Sequence, residues 1–241
     1  MGNARYIGRM GALAVTLGIG VGLVATPSVA AADPGNGNGK GQNMAVATNG
    51  EVRVQKGTAT ASATGQGAVA KAKGDGAIAT ASGDHNKAFA TGDSRTVQVG
   101  PIPMTVVTSA DATNGTNNTA RATGDGSQAF ARAGDNNTAI VTGDLSTAQA
   151  EGGNGNTATV TGDSSHATAA NFNDNTAIVT GDQSIASAGL GGSGNTAIVT
   201  GDGSQAVAGA PGDDNTAIAT GDGRLAVATG TGQTVCDPSC P

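Results

Sequence analysis

Between Gly65 and Gly230 the chain alternates small apolar and polar positions in short bursts that recur about every nine residues. Gly65, Gly74, Gly83 and Gly92 each open a unit whose sixth and eighth positions are small and apolar: Ala70/Ala72, Ala79/Ala81, Ala88/Ala90 and Val97/Val99. The unit returns at Gly115 and keeps its phase through pairs such as Ala120/Ala122, Ala139/Val141, Ala177/Val179 and Ala226/Ala228. With zero to two extra residues at the joints, about sixteen nine-residue units are legible.

Alternation over five positions predicts a strand with one buried face. The Gly-Asp and Gly-x-x-Asn segments between bursts predict turns, since Gly accepts positive φ and Asp or Asn bonds to the local backbone. Such short strands cannot bury a core singly, but stacked at a fixed period they can. The fold expected is all-β: a β-solenoid (β-helix or β-roll) over residues 58–230, with a thin, alanine-rich core. Units alternate between a class with Asn at the fourth position (Asn118, Asn137, Asn156, Asn175, Asn195, Asn215) and one with Ser (Ser127, Ser146, Ser165, Ser184, Ser204). A full coil is therefore two units, one strand in each of two facing sheets, and eight coils at about 4.8 Å make a rod of roughly 38 Å. The Asn residues then stack, as an amide ladder does in cross-β structures.

Composition separates this fold from disorder. Leu, Ile, Val and Phe together supply only 37 residues, Trp is absent, and Gly alone supplies 41. Such scarcity warns of a disordered chain when net charge is also large; here the formal charge is only −6. Repetition, with backbone ladders carrying most of the cohesion, is the consistent reading. So little apolar burial also predicts marginal stability or a homo-oligomer.

The ends depart from the repeat. Arg5 and Arg9, the apolar stretch Met10–Val24 and the small residues Ala30 and Ala32 predict a signal peptide over residues 1–32, cleaved before Asp33. That stretch is too short to span a bilayer comfortably, so no membrane span is expected after cleavage. Residues 33–57 read as a flexible Gly/Asn leader followed by a hairpin cap at Asn49-Gly50. Within the repeat, Pro101 and Pro103 predict an extruded loop or small hairpin over residues 101–114, the least repetitive surface. Residues 231–241 form a tail whose Cys236 and Cys240 suit a small disulfide loop in an exported protein. No basic run is concentrated along the sequence, which argues against nucleic acid and anionic lipid as partners.

Three columns are candidate chemistry. Asp125, Asp144, Asp163, Asp182, Asp202 and Asp222 follow the opening Gly of the Ser class and fall on one edge of the solenoid. They are either solvated turn residues or, because stacked carboxylates repel, weak Ca2+ ligands. Ile140, Ile178, Ile198 and Ile218 form an outward apolar stripe suited to association with another subunit or a surface. The threonines flanking them, as in Thr176-Ile178-Thr180, form flat arrays that resemble those of ice-binding proteins, although Ile interrupts the grid. His85 and His166 are isolated, no nucleophile accompanies either, and a thin alanine interior offers no cavity. No catalytic residue, enzyme activity or obligate cofactor is expected.

Two resemblances extend this reading. The Arg-flanked, Ala/Val/Gly-rich leader ending in Ala-Ala-Asp-Pro resembles leaders of secreted mycobacterial proteins. The G-x-x-S-x-A-x-A-x-G rhythm of Gly124–Gly134 and Gly143–Gly152 resembles the head repeats of trimeric autotransporter adhesins. That likeness implies a secreted or cell-envelope-associated bacterial protein that self-associates and contacts host matrix or an envelope component. The chain lacks the family's C-terminal coiled coil and membrane barrel, so retention at the surface by that route is not implied.

Overall fold

The computed structural model describes residues 43–209 and 211–238. The expected signal peptide, the first part of the Gly/Asn leader and Cys240 lie outside the described residues. The chain opens with β1 (Met44–Thr48) and β2 (Glu51–Lys56), then β3 (Thr60–Thr64), β4 (Val69–Lys73), β5 (Ile78–Ser82) and β6 (Lys87–Thr91). A hairpin of β7 (Arg95–Val99) and β8 (Ile102–Val106) follows, and then β9 (Ser109–Thr113), β10 (Thr119–Thr123), β11 (Gln128–Arg132), β12 (Thr138–Thr142), β13 (Thr147–Glu151) and β14 (Thr157–Thr161). The last strands are β15 (His166–Ala170), β16 (Thr176–Thr180), β17 (Ile185–Ala188), β18 (Thr196–Thr200), β19 (Gln205–Ala208), β20 (Thr216–Thr220), β21 (Leu225–Ala228) and β22 (Thr234–Asp237).

These strands wind a β-solenoid of about nine turns, with no helix among the described residues. Sheet A runs β2-β1-β4-β6-β10-β12-β14-β16-β18-β20-β22 and sheet B runs β21-β19-β17-β15-β13-β11-β9-β5-β3. From β4 onward in A and throughout B, neighbours are parallel and in register, so equivalent residues stack directly. The inward positions meet between the sheets. Every buried apolar side chain there is Ala, except Val141, Val160, Val179 and Val199 on sheet A. With side chains this small, lateral cohesion comes from continuous backbone ladders, as the low apolar content demands.

At the N-terminal end β1 pairs antiparallel with both β2 and β4, turning at Asn49 and Gly50, which both have positive φ. The pair Val97/Val99, expected as a strand of the stack, instead lies on β7, which pairs antiparallel with β8 outside both sheets. Val107 and Thr108 then return the chain to the stack at β9, within the stretch expected to be extruded. Ala61/Ala63 on β3, Ala110/Ala112 on β9 and Val235 on β22 take stack positions beyond the units recognised in sequence. A Val-x-Val pair matches the repeat by hydropathy, but the equivalent sites flanking it in space hold only Ala.

The corners explain the two unit classes. Each Asn of the Asn class is fully buried; from Asn86 through Asn195 its Oδ1 accepts the backbone N–H of the Asn one coil further on, at 2.7–2.9 Å, and Asn215 Oδ1 accepts that of Gln233 at 3.0 Å. The Nδ2 of Asn86, Asn118, Asn137, Asn156 and Asn215 donates to a turn carbonyl, as from Asn137 to Gly153 at 2.7 Å, whereas the buried Nδ2 of Asn175 and of Asn195 has no hydrogen-bond partner among the described residues. The amide column is thus tied through the backbone and not amide to amide. Ser does the same at the opposite corner: the N–H of Ser184 donates to Ser165 Oγ at 3.1 Å, and Ser165 Oγ donates to the Gly181 carbonyl at 2.7 Å. Buried polar groups are tolerable because each such bond removes a desolvation cost.

At most unit-opening glycines the next coil leaves no room for a side chain, and several also have positive φ. Gly162 has φ +140°, and a Cβ there would lie 2.1 Å from the Gly181 carbonyl oxygen of the next coil.

Candidate interaction face

The outward residues of sheet A form three columns. In the first, Thr119, Thr138, Thr157, Thr176, Thr196, Thr216 and Thr234 are consecutive neighbours. In the third, Thr91, Thr123, Thr142, Thr161, Thr180, Thr200 and Thr220 are likewise consecutive. The middle column reads Arg121, Ile140, Thr159, Ile178, Ile198, Ile218, Cys236. The four candidate isoleucines therefore share one line, broken by Thr159, and each is half-buried between its neighbours.

None of the hydroxyls in the two Thr columns forms a hydrogen bond to another described residue. They point outward and are either half-buried or exposed. From β12 to β20 the outward positions of this sheet carry no charge. Lys71, Lys73, Lys87 and Arg121 occupy the first part of the same face. Axially the hydroxyls repeat at about 4.8 Å, and the two columns stand roughly 13 Å apart across the strands.

The outward face of sheet B is different. Its first column reads Gln128, Thr147, His166, Ile185, Gln205, Leu225 and its second Phe130, Gln149, Thr168, Ser187, Val207, Val227. Arg132 lies between two acids, 2.8 Å from Glu151 and 3.6 Å from Asp111, with its guanidinium 4.4 Å from the Phe130 ring centroid. Burial pushes the Asp111 carboxyl above its ordinary pKa, against the opposing pull of Thr113 and Arg132. Burial also lowers the pKa of His166, whose Nε2 is 2.7 Å from Thr168 Oγ1. This cluster has no periodic signature, so the repeat gave no warning of it.

The six candidate aspartates do stack, and their carboxylates are employed. The N–H of each turn Asp donates to Oδ1 of the Asp one coil further on: Asp93 to Asp125, Asp125 to Asp144, and so through Asp202 to Asp222, at 2.7–2.9 Å. On the opposite edge Asp135, Asn154, Asn173, Ser193 and Asp213 supply equivalent acceptors, so a negative charge is not needed for the bond. Among the described residues no three His, Cys, Asp or Glu side chains are grouped so as to hold a metal ion. Cys236 takes the central outward register position of β22. His85 lies at a turn with φ +59°, on the opposite edge of the coil from the Asp column.

The β7–β8 hairpin is the other departure from the repeat. Its cross-strand pairs Arg95/Val106, Val97/Met104 and Val99/Ile102 alternate with Thr96/Thr105 and Gln98/Pro103. Ile102 and Met104 are exposed, and Arg95 reaches Asp144 at 3.2 Å, tying the base of the hairpin to the Asp edge. No described helix is long and apolar enough to cross a membrane. Comparison of the chain with protein families, with curated proteins and with solved structures finds no match.

Proposed function

We propose that the protein is a secreted or cell-envelope-associated, non-catalytic repeat scaffold, and that it acts in adhesion or surface interaction through the outer face of sheet A. The observation that carries this reading is the contrast between the two outer faces. The two strands of a coil share one interior and one ladder spacing, so the demands of folding fall on both outer faces alike. Outward side chains contribute little to a solenoid's core, and sheet B accepts Gln, His, Ile, Leu, Arg and Glu at such positions. Sheet A keeps Thr in two columns although those hydroxyls form no hydrogen bond to another described residue. Strand propensity alone would accept Val or Ile equally well there. What retains the hydroxyl lies outside the fold.

The Ile column supports self-association through the same face as a second use. The calcium-responsive reading has less support, because each turn carboxylate already accepts a backbone N–H. The test is binding of the purified chain to isolated envelope of the producing bacterium, with sedimentation velocity beside it. Thr161→Lys/Thr180→Lys on sheet A should abolish retention, whereas Gln149→Lys/Ser187→Lys on sheet B should leave it unchanged. Equal retention of both double variants would overturn the assignment of the face. A dimer that only the sheet A pair dissociates would establish self-association as its use.

A further inference from the structure

The two threonine columns carry a narrower inference, which rests on sheet A being the working face. A protein partner would be expected to hold the centre of its contact most strictly and to tolerate change at the rim. The reverse is seen: the flanking columns are Thr at every coil from β10 to β20, while the centre admits Arg121 and Thr159 among its isoleucines. Area argues the same way. The Thr-flanked strands present roughly 600 Å2, so pairing two copies would bury about 1,200 Å2, the floor for a specific interface. The outward strand positions of sheet A from β12 to β20 carry no charge to set the register of a macromolecular partner; the stacked aspartates lie at the turns beside the face.

What is conserved within the chain is a period. Each Thr offers a methyl group and a hydroxyl, both fixed by a β-branched side chain with few rotamers. The hydroxyls repeat at the interstrand distance of about 4.8 Å over a ladder that is in register throughout. That repeat lies close to the oxygen spacing along the basal plane of hexagonal ice. Methyl groups on a flat surface force neighbouring water into cages, and regularly placed hydroxyls pin those cages to the lattice. We infer that this face orders water into an ice-like layer and binds the surface of ice. The Ile column takes part as the apolar floor between the two pinned rows, which is why Thr159 can replace it without breaking the pattern.

The experiment is ice-crystal growth observed in a nanolitre osmometer with the purified chain, its folding verified by a β-type circular dichroism spectrum. Faceted crystals and a gap between melting and freezing points are expected for the parent and for Gln149→Lys/Ser187→Lys. Both should be lost in Thr161→Lys/Thr180→Lys. Thr161→Ser/Thr180→Ser, which keeps the hydroxyls and removes the methyls, should reduce the gap. Round crystals and no gap from the folded parent would overturn the inference, as would a sheet A pair that shapes ice like the parent. If envelope retention by sheet A persists in that case, only the ligand class falls; if both fail together, the face itself has been wrongly assigned.

Discussion

Sheet A and sheet B are built from the same coil and meet the same interior, yet their outer faces obey different rules. Inside, both present alanine, with Val141, Val160, Val179 and Val199 added on sheet A alone. Outside, sheet A repeats Thr-x-Ile-x-Thr with few departures, whereas sheet B changes at nearly every coil. The corners differ too. Strands of sheet A follow a buried Asn, whose amide can tie two neighbours, and strands of sheet B follow Ser, which has one hydroxyl to share. The fold thus demands uniformity of the interior and the corners. The uniformity of one outer face exceeds that demand, and this excess is the ground for assigning it a function.

The largest expected effect treats both faces alike. Gly162→Ala would set a Cβ 2.1 Å from the Gly181 oxygen at a positive φ, costing about 4 kcal/mol. A urea melt should show the midpoint falling sharply, and any binding lost with it would be lost through unfolding. Survival with a midpoint near that of the parent would mean that the coils are not stacked this closely.

The corners come next. Asn156→Ala removes one accepted and one donated bond from a fully buried site and should cost about 2–3 kcal/mol, against about 1.5 kcal/mol for Ser165→Ala. Equal losses in the same melt would remove the claim that sheet A is the more firmly anchored. The outer faces should matter least to stability: Thr180→Lys and Gln149→Lys should each move it by only about 0.5 kcal/mol. A large loss for Thr180→Lys alone would make the Thr columns a requirement of folding, and the contrast between faces would lose its functional meaning.

The smallest effect is on pH. His166 on sheet B has its pKa lowered below 6.5 by burial. A depressed folded value means that its contribution to stability is present above the unfolded pKa and fades as pH falls from about 6.5 through the folded value. Asp111 acts in the opposite sense: its raised pKa favours the fold below 3.8, and that contribution fades as pH rises through the folded value. His166→Gln should therefore flatten the stability profile just below pH 6.5. From β12 to β20 no outward residue of sheet A titrates in that range, so an unchanged slope in this variant would move the cause to the turns.

Much of this was legible in sequence because a repeat converts spacing into position. The Asn and Ser classes gave two strands per coil, and the Asp, Ile and Thr columns follow from the same phase. Periodicity does not say which atoms of stacked residues meet, however. It could not show that Asn Oδ1 and Asp Oδ1 reach for the neighbouring backbone N–H. Nor could it reject Val97/Val99, which keeps the rhythm but belongs to a hairpin, or recover Ala110/Ala112, which lies between interruptions. The Arg132 cluster depends on long side chains bridging three coils, for which no pattern of small apolar residues is a guide.

The most direct test is a matched lysine scan of the two faces, one outward residue per coil from β12 to β20 on sheet A and from β11 to β19 on sheet B. Each variant would be read for melting temperature and for retention on isolated envelope. The account predicts melting temperatures close to the parent's on both faces and retention lost only on sheet A. Retention that is indifferent to face, or lost only in step with melting temperature, would contradict it.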